Sequence, residues 1–103
     1  MSSDRIAQYQ AFLEKDPNNA FARYVIAQEY LKLDRLDEAV AAFRGVIEVD
    51  ADYVAAYYHG GKALERAGDS DAARTLYTEG IEAANRKGDG HGRAELEEAL
   101  TAV

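Results

Sequence analysis

Cysteine and tryptophan are absent from this chain, proline and methionine occur once each, and histidine occurs twice. Without cysteine there is no disulfide framework, no thiol nucleophile and no cysteine-containing zinc site. The redox compartment stays open, because a cysteine-free chain is compatible with any of them. Positive charge is also scarce: 12 Lys plus Arg stand against 19 Asp plus Glu, a formal net charge of −7. A binder of phosphate backbones gathers cations to release counterions, so nucleic acid is not an expected partner. Long apolar runs are missing. A run such as Ala39 to Phe43 falls far short of the roughly 20 residues needed to cross a bilayer, and no membrane segment is expected. Met1 to Asp4 has no basic n-region, and Ile6 to Leu13 is interrupted by Gln8 and Gln10. No secretory signal is read there, and a cytoplasmic location is the default expectation. A length of 103 residues suits one domain, expected over 1–103.

What the chain does have is alanine, leucine, glutamate and tyrosine recurring at spacings of three and four, with little strand-like alternation. That pattern is all-α. A shift of 34 places Ala22 on Ala56, Tyr24 on Tyr58, Asp37 on Asp71, Ala39 on Ala73 and Ile47 on Ile81. Similar residues also coincide: Ala27 with Gly61, Tyr30 with Leu64, Lys32 with Arg66, and Phe43 with Tyr77. The same shift backward sets Tyr9, Leu13, Glu14 and Asp16 on Phe43, Ile47, Glu48 and Asp50. The repeat is therefore under way before its first full unit. The expected division is a partial repeat at 4–19, full repeats at 20–53 and 54–87, and a connector with a capping helix at 88–103.

Within each unit the residues divide the work. Tyr24, Ala27 and Tyr30 or Leu31 mark one face of a first helix, and Ala39, Phe43 and Val46 or Ile47 one face of a second. Small residues at 27, 39, 61 and 73 let two backbones approach, and the rings at 43 and 77 fill the adjacent gap. The segments 33–36 and 67–70 read as turns, with Gly68 as a terminator able to take positive φ. Helices are expected near 4–15, 20–33, 37–49, 54–67, 71–87 and 92–102. Asn19 is the expected cap of the second, and Asp69 or Ser70 of the fifth. Residues 88–92 read as a flexible connector, and Ala94, Leu96, Ala99, Leu100 and Val103 as an apolar stripe covering the last repeat.

A helix-turn-helix unit of this length with these residues resembles the tetratricopeptide repeat. The match rests on Ala27, Tyr30, Asp37-Glu38-Ala39, Phe43 and Ile47, then on Tyr57, Gly61, Leu64, Ala73, Tyr77 and Ile81. Asp16-Pro17-Asn18-Asn19 is similar to the family's inter-repeat junction. The resemblance covers residues 4–87 and implies an α-solenoid of about six helices in antiparallel pairs. Arg23, Ala51 and Gly60 depart from the family pattern, and Gly45 and Gly80 lie inside second helices. Each interior glycine is expected to cost about 0.5–1 kcal/mol relative to alanine.

Chemistry is thinly represented. Gly88-x-Gly90-x-Gly92 and Gly60-Gly61-Lys62 lack the strand and helix context of a phosphate loop, and Ala63 stands where magnesium would want a hydroxyl. His59 and His91 have no ligand-spacing motif, so neither a metal nor any other cofactor is expected. The acidic clusters Asp37-Glu38, Asp69/Asp71 and Glu95/Glu97-Glu98 suit helix starts and hydration. Ser70 has no evident base beside it. No catalytic residue is named, and the chain is not expected to be an enzyme.

In the resembled family the first helices line a concave side where peptides bind. Here that side would hold Tyr24, Gln28, Leu31 and Lys32, then Tyr58, His59, Lys62, Glu65 and Arg66. Helical spacing agrees, since 24, 28, 31 and 32 share one face, as do 58, 62, 65 and 66. For the tyrosines, groove contact competes with packing inside a repeat; for Lys32, Lys62 and Arg66, capture of a carboxylate competes with solvated ion pairs. Tyr24, Gln28 and His59 stand where the family's carboxylate clamp for chaperone tails wants Lys and Asn, so that clamp is not implied. The expected function is non-catalytic protein or peptide binding. A second reading is self-association through repeat ends, favoured if Ile6, Phe12, Leu96 or Leu100 is exposed. A third is a small helical enzyme, favoured by a deep polar pocket holding His59 and a carboxylate.

Overall fold

A computed structural model describes the backbone of residues 2–103 and the side chains from Asp4 onward. Among these residues six helices follow one another: α1 (Ser2–Lys15), α2 (Ala20–Lys32), α3 (Leu36–Val49), α4 (Val54–Arg66), α5 (Ser70–Lys87) and α6 (Gly90–Ala102). Among the described residues there is no strand. Each helix packs on its neighbour in sequence, and α4 also touches α2 and α6, so α2, α4 and α6 form one layer with α1, α3 and α5 behind. The short dimension of the molecule is 18 Å, which fits two layers of helices about 10 Å across. No helix among the described residues is long and apolar enough to cross a membrane.

Local chemistry sets the helix ends. The Asn19 side chain accepts the Ala22 N–H at 2.9 Å, and Asp69 accepts that of Ala72 at 3.1 Å. Each satisfies an N–H that a helix start leaves without an internal partner. Between α2 and α3 the Arg35 N–H reaches back to the Tyr30 carbonyl at 3.0 Å; between α4 and α5 the Asp69 N–H does the same to Leu64 at 2.9 Å. Both closures need a left-handed residue, supplied by Asp34 (φ 59) and Gly68 (φ 87).

Two buried clusters share α4. One gathers Ala27, Ala39, Phe43, Val46, Ala56 and Ala63, and the other includes Tyr57, Leu64, Ala73, Leu76, Tyr77, Leu96 and Ala99. The small residues at 27, 39 and 73 are fully buried, and a Cβ on Gly61 would run into the Tyr77 ring, 2.6 Å from its Cδ1. The rings at 43 and 77 fill the space that the small residues open, as the repeat pattern requires.

The C-terminal region corrects several expectations. Helix α6 begins at Gly90, not near residue 92, so the connector shrinks to Gly88 and Asp89. Asp89 accepts the Gly92 N–H at 2.8 Å, and His91 lies in the first turn, not in a loop. Leu96 is fully buried and Ala99 nearly so, with Leu100 and Val103 packed at the edge. Ala94 faces solvent and drops out of the stripe. Leu96 lies against Gly80, where a Cβ would come within 3.0 Å of it. Gly80 therefore admits a neighbour, whereas the sequence reading counted only its cost to the helix. On the outer side, Arg93 and Glu97 pair at 3.2 Å in solvent, the polar exterior that a terminal repeat needs. Gly60, Gly61 and Lys62 lie inside α4, which leaves no phosphate loop there.

Candidate functional site

Position 24 of α2 and position 58 of α4 anchor the α2/α4/α6 face. The Tyr24 ring lies 5.1 Å from Tyr53 and 6.0 Å edge-on from Phe43. Its hydroxyl accepts a hydrogen bond from Gln28 Nε2 at 2.9 Å, one helical turn away. Burial, with Tyr53 adding to it, raises the pKa of Tyr24. Tyr58 stands perpendicular to His59 at 5.1 Å, and Lys62 Nζ lies 5.5 Å from the centre of its ring, within cation–π range.

His59 bridges the two tyrosines. Its ring is 6.1 Å from Tyr24 and 6.3 Å from Phe43, stacked on the latter. Burial lowers its pKa, and the nearby Glu95 carboxylate opposes that shift. A cleft of about 160 Å³ includes His59, Tyr58, His91 and Glu95 in its lining, with His91 and Glu95 3.7 Å apart. Among the described residues no group of three or more His, Asp or Glu could hold a metal ion. A neighbouring cleft of about 190 Å³ is shared by Tyr58, Lys62, Glu95 and Glu98.

The expected residues separate into three sets. Tyr24, Gln28, Tyr58, His59 and Lys62 form one connected surface. Leu31 is half-buried against the Phe43 cluster, and Glu65 accepts the Tyr77 hydroxyl from behind. Burial, reinforced by that hydrogen bond, pushes the Tyr77 pKa up. Lys32 and Arg66 lie at the rim, in ion pairs with Glu29 at 3.6 Å and Asp34 at 2.5 Å. Lys62 likewise faces Glu65 at 3.8 Å. Sequence reasoning missed Glu95 and Glu98, which α6 brings to the edge of this surface. Their spacing of three, beside the buried Leu96 and Ala99, was the available signal.

The tetratricopeptide-repeat family model matches residues 6–45 and 24–88. A crystal structure of a tetratricopeptide repeat domain protein from Salinibacter ruber is 42% identical with a TM-score of 0.75, over 82% of this chain and 93% of that one. The solution structure of protein BPP2914 from Bordetella parapertussis is 27% identical with a TM-score of 0.80, over 94% of this chain and 84% of that one. A curated relative, the tetratricopeptide repeat and J domain-containing co-chaperone DNJ1 of Fusarium oxysporum, is 29% identical over 76 residues. Those residues are 74% of this chain but 15% of that protein's length. With the repeat matched across most of its length, the chain belongs to the tetratricopeptide-repeat family.

Proposed function

We propose that this protein is a non-catalytic binding module that takes a protein or peptide segment on its α2/α4/α6 face. Its family is in general one of protein-interaction scaffolds, which supports the class of function. One observation carries the choice of face: Tyr24 and Tyr58, partly buried at equivalent positions of two repeats, are joined through His59 into one aromatic surface. Such rings give apolar contact area at little entropic cost and end in a hydrogen-bonding tip. Gln28 adds an amide for a peptide backbone, although its NH2 is engaged by Tyr24. Lys32, Lys62 and Arg66 supply electrostatic selection. A partner carboxylate must share them with Glu29, Glu65 and Asp34, so their part is smaller than that of the tyrosines.

The test starts with an unbiased pull-down using the whole protein, followed by calorimetric titration of each captured partner. Tyr24→Ala and Tyr58→Ala, after circular dichroism has shown that they fold, are expected to weaken binding by about 1–2 kcal/mol each. Unchanged affinity in both folded variants refutes this face.

A further inference from the structure

Helix α1 stands in the register of the second helices of the repeats. A shift of 34 sets Arg5, Tyr9, Phe12 and Leu13 on Ala39, Phe43, Val46 and Ile47 of α3, and on Ala73, Tyr77, Gly80 and Ile81 of α5. In α3 and α5 the preceding helix helps seal this stripe, α2 on α3 and α4 on α5, and Phe43, Val46 and Tyr77 have no exposed surface. On α1 the stripe is open. Phe12 keeps 47% of its surface, and Phe21, bordering it from α2, keeps 58%. A cleft of about 450 Å³ includes Tyr9, Phe12, Phe21 and Ala22. A second, of about 240 Å³, continues past Phe21 along Val25 to Glu29. Sharing Phe21, they form one trough between α1 and α2.

A buried acceptor also faces this trough. The Glu29 side chain is 5% exposed, yet among the described residues its Oε2 has no hydrogen-bond partner. Arg5 at 3.4 Å and Lys32 at 3.6 Å balance its charge from ion-pair distance. The equivalent position in α4 is Ala63, fully buried. A carboxylate thus stands where the inner repeat has only a methyl group, and a buried acceptor without a donor is costly.

We propose that this trough is a docking site for one amphipathic helix of a partner protein, seated on α1 as α2 is seated on α3 and α4 on α5. The internal repeat specifies the chemistry of that helix. A glycine or alanine lies over Tyr9, as Gly61 lies over Tyr77. A large apolar side chain one turn away covers Phe12 and Phe21. A hydroxyl or amide donor reaches Glu29 Oε2, and acidic residues at the rim meet Arg5 and Lys32. This surface extends beyond the one assigned to peptide binding above and shares Tyr24, Gln28 and Lys32 with it at one edge, whereas Phe12 and Phe21 belong to the trough alone and test it separately.

The probe is a synthetic peptide of residues 53–67, the α4 segment whose Gly61 receives the Tyr77 ring. It carries Arg66→Glu joined to Lys62 by a lactam, which holds a segment of this length helical. Titrated into the whole protein and followed by amide NMR, it is expected to shift residues 5–13 and 21–29 saturably. Phe12→Asp or Phe21→Ser in the protein, both at exposed positions, and Gly61→Leu in the peptide are each expected to weaken binding at least tenfold. No shift at millimolar peptide, shifts confined to α4–α6, or affinity unchanged in all three variants overturns the proposal. So do concentration-dependent shifts of the same residues without peptide, together with a dimer in sedimentation, which would make the occupant a second copy.

Discussion

Gly45 and Gly80 lie in the middle of α3 and α5, and their surroundings give the same substitution opposite signs. A Cβ built on Gly45 meets nothing nearer than Arg23 Nη1 at 3.5 Å, the far end of a flexible side chain. Gly45→Ala therefore collects only the gain in helix propensity, about 0.5–1 kcal/mol. For a domain of this size that raises Tm by roughly 2–8 °C. A Cβ on Gly80 falls 2.5 Å from Tyr57 Cβ and 3.0 Å from Leu96 Cδ1. Tyr57 Cβ is fixed to the α4 backbone, so the helices themselves must part. Overpacking of that kind costs about 1–3 kcal/mol, and after the propensity gain a net loss on the order of 1–2 kcal/mol remains. Calorimetry and urea unfolding on both variants measure the difference, with constant m-values confirming that the native state is compared in each. If Gly80→Ala is as stable as Gly45→Ala, the assigned contact among α4, α5 and α6 is wrong.

Ala39→Leu and Ala73→Leu, at positions with no exposed surface, should each destabilise by about 1–3 kcal/mol in thermal unfolding; no change in either variant contradicts the packing register. Leu96→Ala empties a fully buried site and should cost about 2–5 kcal/mol, with sedimentation reporting whether the uncovered repeat end self-associates. Burial raises the pKa of Tyr24, Tyr53, Tyr57 and Tyr77, so the folded chain holds protons that the unfolded chain releases. Their contribution is present in full below about pH 10 and falls as pH rises above it, which Tm measured alongside phenolate absorbance will show. His59 has the opposite sign: its lowered pKa means that the unfolded chain protonates first, so its contribution holds above about pH 6.5 and is lost as pH falls. An NMR titration midpoint for His59 at or above 6.5 refutes that burial.

Much of the architecture was legible because it is written in short spacings. The shift of 34 located the small residues at 27, 39, 61 and 73 and the rings at 43 and 77, and Asn19 and Asp69 announced their helices through local hydrogen bonds. Tyr24 with Gln28, and Tyr58 with Lys62, followed from one turn of helix. Less visible were relations that depend on separate helices. Arg66 reaches Asp34 across 32 residues, Glu65 is taken up by Tyr77 from α5, and Glu95 arrives beside His59 only once α6 has docked. The three glycines of residues 88–92 read as a loop because glycine is a poor helix former. The Asp89 cap and the packing of Gly92 against Val54 supply what propensity does not.

The order in which the helices touch also bears on how the chain folds. Among the described residues no helix packs on one more than two places away along the chain, so the helix contacts there close short loops. Loop-closure entropy then stays small throughout, and folding belongs to the fast, low-contact-order regime. Helix α4 is held by α3 and α5 and also meets α2 and α6, whereas among the described residues α1 rests on α2 alone. Structure should therefore begin around α4 and spread outward, and amide exchange in the native state should be slowest there and fastest in α1.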